Sequence, residues 1–355
     1  MRDRLHRFRQ RFAALKIDAF LITFQPHLRY LSGFSGTSGI GLVTATASYL
    51  ITDGRYASQI QEETKGWKSF VTPNSFFDEL QRRNLLHPGE RVGFDGNTFI
   101  LNQFTGIKKL FPKVKFLPKA DSIEQIAAVK EDEEVAKIAR ATAITDAVFN
   151  EILGLLKPGT TEMDIAAEIS YRQRKHGAES DAFETIVASG ERGALPHGRA
   201  TIKRIRKGEM VTLDFGCVVE GYHSDLTRTV AVGRPKPEAR KIHSIVLEAQ
   251  QKALDAVRSG MKARDLDAVA RAHIKEKGYD KFYRHSLGHG IGLQIHEAPR
   301  ISVLSTATLQ QGNVVTIEPG IYLPGLGGVR IEDDVVITNG SCEVLTRSPR
   351  QLLIL

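Results

Sequence analysis

Two aspartates flank a predicted β-turn in the segment LDFGCVVEGYHSDLTRT, which spans residues 213–229. Alternating apolar residues on both sides of Glu220 and Gly221 predict a β-hairpin closed by a two-residue turn. Its register sets two opposed pairs, Asp214 with Thr227 and Asp225 with Gly216. Opposed residues and residues two apart share a face, so both carboxylates would leave the same side of the hairpin and converge. A change of register by one residue would separate them.

The second part of the chain repeats itself at intervals of about a hundred residues. KPGTTEMDIAAEISYRQRKHG resembles RSGMKARDLDAVARAHIKEKG, and KGEMVTLDFG resembles QGNVVTIEPG, so that Asp214 corresponds to Glu318. A second acid follows in each repeat, Asp225 in the first and Glu332 in the second. An internal duplication would therefore bring four acids to one point from two equivalent halves.

Four converging carboxylates in a buried site require positive charge. Left unpaired, the acids would repel one another and their pKa values would rise, and either divalent cations or arginines remove that difficulty. Arg228 and Arg330 are available for ion pairing. The pattern favours a metal site over salt bridges, because buried charges are paired or coordinate metals.

A glycine-rich segment, HSLGHGIGLQIHEAP at residues 285–299, contributes a nitrogen ligand. His289 lies among glycines that allow close approach to another group, and imidazole is the commonest nitrogen ligand of such metals. Four other histidines lack these surroundings and are interpreted as surface or local structural residues: His176, His243, His273 and His285. His223, two residues before Asp225, could contact a metal ligand without binding the metal itself.

Length and patterning predict two domains. A chain of 355 residues is too long for one compact core, and the composition is that of a globular protein. Short β-rich runs alternate with helical stretches from Ile17 to Phe116, which predicts a small α/β domain. A proline and polar residues at 117–123 mark a boundary. We predict domains at residues 1–120 and 121–355.

The net charge of +8 raises the question of a polyanionic partner. The N-terminal arginines surround an apolar stripe with helical spacing, which indicates a solvated helix face rather than a nucleic-acid arm: Leu5, Phe8, Phe12 and Leu15. No segment has the pattern of a membrane span or a secretory signal, so we expect a cytoplasmic protein that binds neither membrane nor nucleic acid. Its two cysteines, Cys217 and Cys342, are expected to be strand residues.

Five motifs, in the same order, resemble those of Xaa-Pro peptidases in the pita-bread metallopeptidase family, the group of aminopeptidase P and prolidase. They are LPHG (195–198), LDFG…GYHSD (213–225), GHGIGLQIHEAP (288–299), TIEPG (316–320) and GGVRIED (327–333). The N-terminal YLSGF and LITDGRY resemble the family's accessory domain. The resemblance implies an α+β protein with an internally duplicated pita-bread catalytic domain, preceded by a smaller creatinase-like α/β domain. It also implies a homodimer.

The resemblance further assigns roles to particular positions. It implies two bound metal ions held by Asp214, Asp225, His289, Glu318 and Glu332. Asp225 and Glu332 would bridge the ions. His197 and His296 would contact the substrate or the tetrahedral intermediate, and Arg330 would support the ligands. An oxygen-rich ligand set favours Mn²⁺ first, with Co²⁺, Fe²⁺ and Zn²⁺ open.

These roles imply hydrolysis of Xaa-Pro bonds in short proline-containing peptides, by a hydroxide that bridges the two ions. Glu318 is the candidate proton carrier. Arg300, directly after HEAP, could bind the C-terminal carboxylate of a dipeptide, but a solvated arginine is an equal interpretation, so aminopeptidase and dipeptidase remain open. The alternatives are a metal-free, creatinase-like hydrolase of a small guanidino compound and a non-catalytic binding protein of the same fold.

Overall fold

The computed structural model describes residues 2–355, with side chains from Arg4 onward, and the chain divides into two compact units between residues 127 and 128. The sequence placed the domain boundary between residues 120 and 121. A short helix at Glu124–Ala127 belongs to the first unit.

The first unit is an α/β domain built on one six-stranded sheet. Its elements are α1 (Arg2–Gln10), α2 (Phe12–Leu15), β1 (Ala19–Ile22), α3 (Gln25–Ser32), β2 (Ile40–Thr44), β3 (Ser48–Thr52), α4 (Gln59–Glu63), β4 (Lys68–Val71), α5 (Phe76–Arg82), β5 (Arg91–Phe94), α6 (Leu101–Leu110), β6 (Lys115–Pro118) and α7 (Glu124–Ala127). The strand order is β4-β3-β2-β1-β5-β6, with β1 parallel to β5 and antiparallel to β2. The predicted small α/β domain is confirmed.

The central strand β1 is buried on both faces, as its unbroken apolar sequence requires. Helix α1 covers one face, where the rings of Phe8 and Phe20 meet edge to face at 5.1 Å. Leu5, Phe8 and Phe12 are buried. The predicted apolar stripe is therefore confirmed, although the structure divides the helix into α1 and α2. The prediction that the arginines form a solvated face was wrong for Arg4, which is buried and donates to the carbonyl oxygen of Tyr30 at 3.2 Å.

The second unit contains the duplicated pattern. Its elements are α8 (Asp132–Ile152), α9 (Glu162–Lys175), β7 (Ser180–Asp181), β8 (Ile186–Ser189), β9 (Glu209–Phe215), β10 (Cys217–Val219), β11 (Tyr222–His223), β12 (Leu226–Val232), α10 (Pro237–Ala256), α11 (Ala263–Glu276), β13 (Gly288–Gly290), β14 (Glu297–Ile301), β15 (Val314–Ile317), β16 (Gly320–Leu323), β17 (Gly327–Arg330), β18 (Asp333–Ile337) and β19 (Cys342–Val344). The sheets of this unit have the orders β11-β10-β7, β12-β9-β8, β14-β13-β15-β18-β19 and β16-β17.

Both halves of this unit follow the same plan. A long helix and a 14-residue helix precede an antiparallel strand pair, as α8 and α9 before β9 and β12, then α10 and α11 before β15 and β18. Ile165 of α9 packs in one core cluster with Val211 of β9, and the equivalent Leu266 of α11 packs in another with Val315 of β15. The internal duplication is thus visible in the packing as well as in the sequence.

Local sequence signals explain where the shorter helix of the first half begins. Thr161 precedes α9, and its hydroxyl accepts the N–H of Asp164 while the Asp164 carboxylate accepts the N–H of Thr161, both at 3.0 Å. This reciprocal capping box satisfies two N–H groups that the helix leaves open. The helix packs against β8 and β9, the strands that carry part of the site.

The hairpin has the predicted register. Glu220 and Gly221 form the turn with φ values of 48° and 80°, the left-handed conformation that a tight two-residue turn requires. Asp214 lies opposite Thr227 in the ladder of β9 and β12. The ladder is interrupted near Gly216, where a Cβ would lie 1.8 Å from the carbonyl oxygen of Ser224.

The cysteines agree with the sequence interpretation. Cys217 begins β10 and Cys342 begins β19, and both are free thiols. Among the described residues, no helix is both long and apolar enough to cross a lipid bilayer.

Candidate metal centre

Every residue that the sequence singled out as a site residue lines one cavity of about 710 Å³ in the second unit. The set is His197, Asp214, Asp225, His289, His296, Arg300, Glu318, Arg330 and Glu332. The strands place the four acids in equivalent positions. Asp214 lies in β9 and Glu318 directly follows β15, while Asp225 and Glu332 directly precede β12 and β18.

The two halves are joined at the acids themselves. The hydroxyl of Thr227, on β12, donates to Glu332 Oε2 at 2.6 Å, and the carbonyl oxygen of Thr227 accepts the Glu332 N–H at 3.1 Å. Exposure of Asp214, Asp225 and Glu332 is only 7%, 5% and 2%. Strand pairing therefore holds the carboxylates together in a site that is almost inaccessible to solvent.

His289 faces the acids with one nitrogen. Its Nδ1 lies 3.0 Å from the carbonyl oxygen of Gly290, which can only accept, so the proton resides on Nδ1 and the Nε2 lone pair is free. Nε2 lies 3.7 Å from Asp225 Oδ2 and 3.5 Å from Glu318 Oε1. One ligand atom each from Asp225, His289 and Glu332 lies within 4.8 Å of the others.

The glycines around His289 have the predicted purpose. A Cβ at Gly288 would lie 2.0 Å from the carbonyl oxygen of Thr316, and one at Gly290 would lie 2.3 Å from that of Ala298. Neighbouring strands β14 and β15 therefore approach β13 more closely than any side chain permits. Thr316 also fixes the histidine, because its hydroxyl accepts the His289 N–H at 3.1 Å and lies 3.2 Å from Glu318 Oε1.

Three carboxylate oxygens at the centre fit a cation. Asp214 Oδ1, Asp225 Oδ1 and Glu332 Oε1 are buried and accept no hydrogen bond from the described residues. Buried oxygens of this kind carry a large desolvation cost unless something compensates it. A neutral imidazole nitrogen beside oxygen donors is a donor set suited to divalent transition metals.

The protonation equilibria agree with that fit. Burial raises the pKa of Asp225 and of Glu332 well above the carboxyl range, and neighbouring carboxylates raise both further. Burial also raises the pKa of Glu318 to about 8, although Arg330 opposes the change. Burial lowers the pKa of His289 to about 4, so its imidazole is neutral near pH 7. Metal ions would relieve the repulsion and bind the deprotonated groups.

Only one of the four acids, Asp214, forms the salt bridge to an arginine that the sequence offered as the alternative to metal binding. Arg330 donates from Nη2 to Asp214, from Nη1 to Tyr322 and from Nε to Thr227. Arg228 instead pairs with Asp333 at 2.6 Å. It could have been excluded from the sequence, because it follows Thr227 on β12 and its side chain must leave the opposite face. Among the described residues, the other three acids have no lysine or arginine partner.

The remaining predicted residues lie on the cavity wall nearer to solvent. His197, His296 and Arg300 are all exposed. The rings of His289 and His296 lie 4.3 Å apart in a T-shaped arrangement. Burial lowers the pKa of His296, and the charges of Arg300 and His197, which line the same cavity, lower it further.

His285 was interpreted from the sequence as a surface or local structural residue, and the structure places it beside the site. His285 lines the cavity, and its Nε2 lies 2.9 Å from the hydroxyl of Tyr322, which accepts from Arg330 Nη1 at 2.8 Å. Burial lowers the pKa of His285 to about 3, which keeps it a neutral acceptor. The chain His285–Tyr322–Arg330 thus ends on Asp214. The sequence signal that could have found His285 is its position four residues before His289 in the same glycine-rich segment.

Comparison with known proteins gives a consistent result over the whole chain. Residues 4–129 match the Creatinase/Prolidase N-terminal domain, and residues 136–339 match Metallopeptidase family M24. The Xaa-Pro dipeptidase of Pyrococcus furiosus is 40% identical over 359 residues, covering 99% of this chain and 100% of that protein.

Solved structures agree in fold. A structure described as Xaa-Pro dipeptidase from Bacillus anthracis has a TM-score of 0.96 at 40% identity, over 99% of both chains. The X-Pro aminopeptidase from Thermotoga maritima has a TM-score of 0.90 at 41% identity, over 96% of this chain and 98% of that one. The expected fold class is confirmed: a pita-bread domain with an internal duplication, preceded by a smaller α/β domain.

Proposed function

The chain belongs to metallopeptidase family M24, and from that premise we propose that it hydrolyses the Xaa-Pro bond at the N-terminus of peptides or in dipeptides. The observation that carries the proposal is the convergence of four acids and one neutral imidazole, from both repeated halves, on one cavity with unsatisfied buried oxygens. The names of similar proteins support the substrate class, since they are Xaa-Pro dipeptidases and an X-Pro aminopeptidase.

We propose that the second unit is the catalytic domain and that it holds two divalent ions, with Mn²⁺ first. The ligands would be Asp214, Asp225, His289, Glu318 and Glu332, with Asp225 and Glu332 shared between the ions. When bound, the ions supply activation of water and polarisation of the scissile carbonyl. The protein supplies the deprotonated ligands and their fixed orientation.

The surrounding side chains would bind and orient the peptide. His296 and His197 lie at the wall of the cavity and can donate hydrogen bonds to the carbonyl oxygen as negative charge develops on it. Glu318 lies in the same cavity and is the candidate to take up a proton during the reaction. Arg330 keeps Asp214 in place through its ion pair. An Xaa-Pro bond lacks an N–H, and none of these contacts requires one.

Substitution of Arg300 can distinguish a dipeptide substrate from a longer peptide. It is exposed on β14 and lines the same cavity, where it can pair with the C-terminal carboxylate of a dipeptide. A longer peptide carries no charge at that point. If the enzyme is a dipeptidase, we expect Arg300→Met to raise KM for an Xaa-Pro dipeptide more than KM for an Xaa-Pro-Yaa tripeptide. Equal effects on both substrates would favour an aminopeptidase.

The direct test of the proposed function is Asp225→Asn. We expect it to abolish Xaa-Pro hydrolysis and to lower the bound metal measured by elemental analysis, because one oxygen donor becomes a neutral amide. Asp18→Asn is a matched control, since Asp18 pairs with Arg91 in the first unit and touches none of the cavity residues. Hydrolysis undiminished in Asp225→Asn would remove the proposal.

A further inference from the structure

The loop at residues 291–296 joins β13 to β14 and carries His296 at its end. It folds around the carboxylate of Glu297, whose Oε1 accepts the N–H of Gln294 at 3.0 Å. Gly292 donates its N–H to the carbonyl oxygen of Gln294 at 3.1 Å. A Cβ on Gly292 would lie 2.6 Å from Glu297 Oε2, so the backbone approaches this carboxylate more closely than any side chain permits.

A lysine distant in sequence holds the other oxygen of that carboxylate. Lys130 Nζ donates to Glu297 Oε2 at 2.7 Å, and the two side chains are 1% and 10% exposed. Lys130 is itself anchored, because its backbone N–H donates to the carbonyl oxygen of Gly312 at 2.8 Å. The pair is therefore a buried ion pair with one fixed end, and such a pair is costly to break from one side.

We infer that Lys130 is a positioning residue for His296: it fixes the Glu297 carboxylate, and the carboxylate fixes the loop that presents His296 to the cavity. Lys130 does not line the cavity, so it acts through Glu297, which does. Lys130 also lies between the two stretches that match known families, residues 4–129 and 136–339. The kinetic part of this inference rests on the proposed function.

Removal of the lysine should disturb the loop more than the metal ligands. His289 is held independently by Thr316 and by Gly290. We therefore expect Lys130→Met to lower kcat for an Xaa-Pro peptide by about 10–100-fold, the usual effect of losing a supporting contact in a metal site, while KM and metal content change by less than about threefold.

Hydrogen exchange gives a readout that needs no substrate. The N–H of Gln294 is bound to the carboxylate that Lys130 holds, so peptides that cover residues 291–297 should exchange faster in Lys130→Met. Lys137→Met is the matched control. Lys137 lies on α8 and pairs with Glu220 at 3.2 Å on the surface, and we expect unchanged kcat and unchanged exchange in the loop.

A substitution of Glu297 tests the same ion pair from its other side. Glu297→Gln should lower kcat and speed exchange in the same way, and it carries the test if Lys130→Met fails to fold. The double variant Lys130→Met/Glu297→Gln should be no slower than the worse single variant, because both changes break one contact. Multiplied losses in the double variant, or a Lys130→Met protein with normal kcat and normal loop exchange, would overturn the inference. A failure of the unmodified protein to cleave Xaa-Pro peptides would instead refute the proposed function, and the exchange result would still stand.

Discussion

Replacement of Thr227 by valine tests how the acids are held together. The buried Thr227 hydroxyl donates to Glu332 Oε2 at 2.6 Å and accepts from Arg330 Nε at 3.0 Å. Valine has nearly the same shape, and the backbone contact from Thr227 to Glu332 is retained. The variant therefore removes one hydroxyl that connects a proposed ligand to the arginine supporting another, Asp214.

The expected magnitude follows from that hydrogen bond. A bond to a charged group contributes about 1.5–3 kcal/mol, and loss of a supporting contact costs about 10–100-fold in metal affinity, or roughly 1.4–2.8 kcal/mol. The two estimates agree. We predict that Thr227→Val weakens Mn²⁺ binding by about 10–100-fold, measured by competition with a chelator of known affinity.

Thr212→Val is the matched control for this variant. Thr212 pairs with Thr229 on the same two strands, and its hydroxyl lies 3.2 Å from that of Thr229 without touching an acid. We expect it to cost some stability but to keep the metal affinity of the unmodified protein. Equal metal affinity in Thr227→Val and in the unmodified protein would refute the reasoning that this hydroxyl holds Glu332.

Three further changes probe other parts of the chain. Tyr322→Phe removes one of the two acceptors of Arg330 Nη1 and leaves the other, the carbonyl oxygen of Pro196, so kcat for an Xaa-Pro peptide should fall by about tenfold with little change in melting temperature. Gly288→Ala would place a Cβ 2.0 Å from a carbonyl oxygen of β15, and thermal unfolding should show a loss of about 1–3 kcal/mol. The hydrogen bond from Arg82 lowers the pKa of Glu79 from 4.5 to about 2, so the stability it contributes is present above pH 4.5 and is lost as the pH falls toward 2. The melting temperature of Glu79→Gln should therefore differ from that of the unmodified protein more at about pH 6 than at about pH 3.

Each of these outcomes has a contrary result. Normal kcat in Tyr322→Phe would mean that Arg330 does not need this acceptor. Gly340→Ala, where a Cβ meets nothing within 4 Å, should be neutral, and an equal loss in both glycine variants would contradict the close approach of β13 and β15. A gap between Glu79→Gln and the unmodified protein that widens in acid would contradict the direction of the pKa change.

The parts of the site that depend on local pairing were predictable from the sequence. A two-residue turn at Glu220 and Gly221 determines which residues of the hairpin share a face, and the observed pairing of Asp214 with Thr227 follows from it. The internal duplication then predicted that Glu318 and Glu332 occupy the equivalent positions in the second half of the unit, because equivalent strands carry equivalent acids.

Contacts between segments distant in sequence were not predictable in this way. Tyr322 reaches His285 across 37 positions, and Lys130 reaches Glu297 across 167. Neither contact leaves a spacing pattern, because each depends on how separate elements pack. The two arginines show the difference. Strand alternation alone predicts that Arg228 points away from the four acids, and it pairs with Asp333 instead. The contact of Arg330 with Asp214 could be seen only in the folded structure.

Anomalous X-ray diffraction from crystals of the Mn²⁺-loaded protein shows whether these five side chains hold two metal ions. We predict two anomalous peaks per chain, both within ligand distance of the set Asp214, Asp225, His289, Glu318 and Glu332, with Asp225 and Glu332 near both. Peaks that lie elsewhere, or an active protein whose cavity binds no ion at all, would contradict this prediction.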